Sequence, residues 1–74
     1  MTVKLGLIGA GEMVRIVAGM VVRANEEVSI SAVFDPSESA LLACRKTFGD
    51  EFIKANSVSE LLGDDSVNWV FVAS

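Results

Sequence analysis

Near the start of the chain stands Gly9-Ala10-Gly11-Glu12-Met13-Val14, and about two dozen residues after it comes an acid, Asp35. These are the positions whose types and spacing point to chemistry. In a turn from a strand into a helix, the first glycine of Gly-x-Gly makes the tight turn and the second lets the backbone approach a pyrophosphate. The charge of that group is met by the N–H groups at the helix start. An acid closing the second strand accepts hydrogen bonds from ribose hydroxyls, and its charge repels a 2'-phosphate, which favours NAD over NADP. Gly9, Gly11 and Asp35 are therefore cofactor-binding candidates. A glycine pair alone is a weak signal, and a strand-to-helix turn without a ligand is the competing reading. Asp35-Pro36-Ser37-Glu38 also reads as a helix start, with Asp35 as N-cap, Pro36 at the first helical position and Glu38 at the third. The two roles are compatible because a carboxylate has two oxygens. Pro36 supplies no arginine for a 2'-phosphate, and Arg45 and Lys46 lie further along, so NADP is the less expected cofactor. Val14 occupies the place of a third glycine, where a β-branched residue should push the helix outward or tilt it.

These residues need elements to hold them, and the apolar pattern supplies an alternation. Val3 to Ile8 is a short apolar run ended by Gly9, as in a strand buried on both faces. From Gly11 to about Ala24, Met13, Val17, Met20, Val21 and Ala24 recur at helical spacing and are the expected buried stripe. Val28 to Phe34 is a β-branched strand. A second helix, about Ser37 to Phe48, carries Leu41, Cys44 and Phe48 on one face and stops at Gly49. Phe52 to Lys54 is a short strand. Ser57 with Glu60 caps a short helix bearing Leu61 and Leu62 and ending at Gly63, and Val67 to Ala73 is an apolar last strand. The order β-α-β-α-β-α-β implies an α/β fold: a partial doubly wound parallel sheet, strand order 3-2-1-4, with helices on both faces.

Composition narrows the remaining classes. Six Lys+Arg against ten Asp+Glu give a net charge of -4, so no basic surface exists for nucleic acid or an anionic membrane. With one Cys and no His, neither an intrachain disulfide, a structural zinc site nor a Ser-His or Cys-His nucleophile can form within the chain. No metal ligands and no catalytic residues are nominated. The opening residues do not read as a signal peptide and no apolar run is long enough to span a membrane, so the cytoplasm is the expected compartment. Cys44, Met13 and Met20 read as core, Trp69 as packing or interface, and Lys4 and Lys54 as solvated.

The segments VKLGLIGAGEM, AVFDPSESALLACRKTFG and SVSELLGDDSVNWVFVAS, in this order and at these intervals, resemble the nucleotide-binding half of the Gfo/Idh/MocA oxidoreductases. The resemblance covers nearly the whole chain. It implies a Rossmann domain for NAD or NADP in enzymes acting mostly on sugars, cyclitols and related polyols. It also implies that Gly9, Gly11, Glu12 and Met13 lie along the pyrophosphate, that Asp35 holds the adenosine ribose, and that Ala73 and Ser74 begin the loop beside the cofactor. The family's Glu-Lys-Pro motif and substrate domain have no counterpart in these residues. Residues 1–74 are accordingly expected to be the N-terminal part of a dinucleotide-binding domain, not catalytic alone.

Two other classes fit part of the pattern. An S-adenosylmethionine-binding methyltransferase-like domain also pairs a glycine turn with an acid after the second strand, but usually carries an acid inside the first strand, and residues 4–8 offer none. A non-catalytic association module would use the last strand, 67–73, as an edge for homodimerisation, with Trp69 and Phe71 near the contact.

Overall fold

The computed structural model describes residues 2–72 of the chain. Its elements run β1 (Val3–Ile8), α1 (Glu12–Ala24), β2 (Val28–Phe34), α2 (Glu38–Phe48), β3 (Ile53–Lys54), α3 (Val58–Leu62) and β4 (Trp69–Val72). All pairings are parallel and the strand order is β3-β2-β1-β4, the half-sheet implied by the alternation. α1 and α2 cover one face, over a core of Leu5, Leu7, Val14, Ala18, Val33, Leu41, Cys44 and Phe52. α3 covers the other, where Leu61 packs with Ala32 and Ala55. The β1–β2 register shifts between Leu5 and Gly6, so that Leu5 faces Ile30 while Gly6 faces Ala32. Skipping Ser31 in this way turns both Ile30 and Val33 toward the α1 side although their separation is odd.

Three expectations change. The buried face of α1 is Val14, Ala18 and Gly19, whereas Met13 is 72% exposed and Met20 60%, with Val17, Val21 and Ala24 also exposed. Met13 and Met20 are thus not core. α1 is apolar almost all round, so periodicity offers more than one stripe, and close approach to the sheet selects the small residues. Val14 is buried in that contact at 6% exposure, and α1 packs on the sheet over β2.

The second change is at the start of α2. The N-cap is Ser37, whose hydroxyl accepts from the Ala40 N–H, and the Asp35 carboxylate instead accepts from the Ser37 N–H at 2.8 Å. Asp35 closes a turn across Pro36, which leaves Ser37 to cap. Third, β4 begins at Trp69 because Asn68 uses its side chain at the ladder's start: its Oδ1 accepts from the Lys4 N–H and its Nδ2 donates to the Thr2 carbonyl.

The other elements follow their local chemistry. Ser57 caps α3 through the Glu60 N–H at 3.0 Å. Gly49 ends α2 at φ 87, a left-handed conformation suited to glycine. Lys4 and Lys54 are exposed, as expected. No helix among the described residues is long and apolar enough to cross a membrane.

Candidate functional site

The carboxyl ends of β1, β2 and β4 meet at a hollow of about 550 Å³ lined by Gly9, Gly11, Glu12, Met13, Val14, Val17, Asp35 and Phe71. Ligands of open α/β sheets bind at this end, where the chain direction switches from one side of the sheet to the other. Every described residue nominated from the sequence, Gly9, Gly11, Glu12, Met13 and Asp35, lines this one hollow. Ala73 and Ser74 lie outside the described residues.

The turn is built by backbone constraint. Gly9 has φ 104, which L side chains rarely adopt, and its N–H donates to the Phe34 carbonyl at 2.8 Å. The buried Ala10 donates its N–H to Asp35 Oδ2 at 2.8 Å, while Asp35 Oδ1 takes the Ser37 N–H. One carboxylate therefore ties the glycine turn to the start of α2. Each oxygen still has lone-pair capacity for a further donor.

Gly11, the N-cap of α1, has an ordinary φ of -67 and no side-chain cap. A Cβ built on it would meet nothing within 4 Å. The first turn of a helix leaves its N–H groups without intrahelical partners, and here no side chain of the N-cap takes them. They carry the positive end of the α1 dipole to the edge of the hollow.

Several residues escaped the sequence reading. Phe71, expected near a dimer contact, is half-buried and lines the hollow, whereas Trp69 is 61% exposed. Arg15 donates from Nε to the Ala10 carbonyl at 3.3 Å, a contact that spacing alone does not announce. Cys44 is core, as expected; burial pushes its thiol pKa up, the Arg15 charge pulls it down and Asp35 pushes it up. A second hollow of about 360 Å³ adjoins Asp35 on its far side, lined also by Pro36, Glu38, Lys54 and Asn56. Among the described residues no cluster of His, Cys, Asp or Glu could hold a metal ion.

Residues 3–74 match GFO_IDH_MocA, an oxidoreductase family with an NAD-binding Rossmann fold. The chain belongs to this family. Among solved structures, a myo-inositol dehydrogenase from Lactobacillus casei in complex with NAD(H) and myo-inositol is 30% identical, TM-score 0.87, over 100% of this chain and 22% of that one. GenD2 from gentamicin A biosynthesis, in complex with NAD, is 27% identical, TM-score 0.79, over 99% of this chain and 20% of its own. A 3-ketoreductase from Actinomadura kijaniata, in complex with NADP and TDP-benzene, is 18% identical over 95% of this chain and 21% of its own; at TM-score 0.75 it shows the shared fold alone. The chain thus spans about a fifth of the length of the solved structures it matches. No curated protein sequence matches it at a significant level. The hollow at Gly9, Gly11 and Asp35 lies at the carboxyl end of the sheet strands.

Proposed function

We propose that this hollow binds NAD, with the pyrophosphate against Gly11 and the first turn of α1 and the adenosine ribose on the free lone pairs of Asp35. The observation that carries the reading is Gly11. Its backbone does not need a glycine and no protein atom lies within 4 Å of the missing Cβ, so the fold leaves clear the space that a close-lying pyrophosphate requires. Glu12 and Met13 line the same hollow beside that space. The carboxylates of Asp35 and Glu38, with Lys54 as the one basic residue lining the adjoining hollow, favour NAD over NADP.

When bound, the nicotinamide gives or takes the hydride of an oxidoreductase reaction. This chain's residues hold and orient the carrier. The whole protein is proposed to act on a sugar, cyclitol or related polyol, in keeping with the myo-inositol in the similar dehydrogenase. The rest of the dinucleotide domain and the substrate domain are proposed to lie outside these residues, and the chain alone to be non-catalytic.

Titration of the chain with NAD and NADP tests this. NAD is expected to bind, NADP at least tenfold more weakly, and Asp35→Ala to weaken NAD by tenfold or more with the fold checked by circular dichroism. Binding of neither dinucleotide, or unchanged NAD affinity in Asp35→Ala, would overturn it.

A second reading rests on β4. It pairs with β1 alone among the described strands and exposes Trp69 and Val72, at 61% and 69%. An open apolar edge is suited to pairing with another copy, so a homodimer through this edge, as in a non-catalytic association module, is proposed for the chain by itself. Light scattering that finds only monomer at high concentration would sink it.

A further inference from the structure

We infer that Arg15 is a positioning residue for dinucleotide binding, acting on the Ala10–Gly11 peptide and not on the ligand. The inference rests on the dinucleotide reading above. Arg15 is half-buried in the first turn of α1 and folds back so that its Nε donates to the Ala10 carbonyl at 3.3 Å. In a trans peptide the N–H of the next residue points opposite to the carbonyl. Holding the Ala10 carbonyl therefore sets the direction of the Gly11 N–H, one of the groups available to a pyrophosphate. The preceding peptide is fixed independently, since the Ala10 N–H donates to Asp35 Oδ2 at 2.8 Å. Two charged side chains, Arg15 on α1 and Asp35 just after β2, thus hold consecutive peptide planes of one turn, Asp35 through an N–H and Arg15 through a C=O. The bond from a charged donor is stronger than a neutral one, and partial burial shields it from water.

The donor atom decides the test. Arg Nε and the Gln amide nitrogen are the same number of bonds from Cα, so Arg15→Gln keeps a donor in place and discards the charge. Arg15→Lys keeps the charge and moves its donor one bond further out; Arg15→Ala removes both. NAD titrations of the wild type and these variants are combined with the amide resonance of Gly11 in each ligand-free protein, and circular dichroism confirms the fold.

The expected result is a three- to tenfold weaker NAD affinity in Arg15→Ala with a displaced Gly11 amide, and near wild-type values for both in Arg15→Gln. Affinity that follows charge, retained in Arg15→Lys and lost in Arg15→Gln, overturns the inference in favour of direct attraction to phosphate. An unmoved Gly11 amide in Arg15→Ala overturns it too. If Arg15→Ala does not fold, the Gln and Lys variants decide alone. Failure of the wild type to bind NAD overturns the dinucleotide reading and the inference with it, and the Gly11 amide still tells whether Arg15 holds the turn.

Discussion

Gly6 and Gly11 stand five positions apart on either side of the same turn, and the space beside each is used in opposite ways. A Cβ on Gly6 would come within 2.9 Å of both Leu61 and Val67, because α3 and the segment after it press directly onto β1. A Cβ on Gly11 would meet nothing within 4 Å. The helices they serve differ in the same sense: α3 is capped by its own Ser57, and α1 has no side-chain cap. Gly6 is a glycine the fold requires. Gly11 is one whose side-chain space the fold leaves empty, in keeping with the binding role proposed for it. The difference sets a glycine enclosed by packing apart from one that faces open space.

Gly11→Ser gives the largest expected effect and tests the comparison most directly. The hydroxyl would supply to α1 the cap that Ser57 supplies to α3, so stability should be unchanged or higher by a few tenths of a kcal/mol. NAD affinity should fall by tenfold or more, because the side chain enters the pyrophosphate space. Thermal melts and titration read the two quantities separately. A variant that is less stable yet binds normally would place Gly11 with Gly6 as a structural glycine.

Gly6→Ala should reverse that pattern. Leu61 is fully buried and cannot swing aside freely, so the extra methyl should cost about 1–3 kcal/mol. Where the variant remains folded, NAD affinity should match the wild type. Denaturant unfolding checks the first expectation, and a loss below about 0.5 kcal/mol would mean that α3 yields easily and that the two glycines differ less than their surroundings imply.

Ser57→Ala comes next. Removing the hydroxyl that accepts from Glu60 should cost about 1 kcal/mol and leave NAD affinity unchanged, since α3 lies on the face away from the hollow. An affinity change would show that the two faces are coupled through β1.

The contrast between the glycines also marks where the sequence is legible. β1 and β2 keep the bounds read from their apolar runs, because a buried parallel strand and its terminating residue are local signals. Gly9, Gly11 and Asp35 converge because a strand, a turn and a second parallel strand leave little choice of where their ends meet. Gly6 carries no such signal: the need for it comes from Leu61 and Val67, remote in sequence. The buried face of α1 is hidden for a related reason, since a helix apolar on nearly every side does not declare which residues meet the sheet. Arg15 reads as a surface charge until its Nε is seen to reach back to Ala10, and Ser37 becomes the cap only because Asp35 is occupied by the turn. In each case a tertiary contact decides between alternatives that the local pattern leaves equal.

The smallest expected effect concerns Cys44, beneath the Gly11 side of the comparison. Its thiol is fully buried, and burial raises its pKa above the ordinary value of 9.0. In the unfolded chain the thiol ionises near that ordinary value, so with rising pH the unfolded state loses its proton first. Stability due to the neutral thiol is therefore complete below about pH 8 and is lost as pH rises through the native pKa. The thermal midpoint of the wild type should fall more steeply between pH 8 and pH 10 than that of Cys44→Ala, although the variant starts lower because a cavity replaces the sulfur. Parallel slopes would mean that the native thiol ionises much as the unfolded one does and that burial does not hold it neutral.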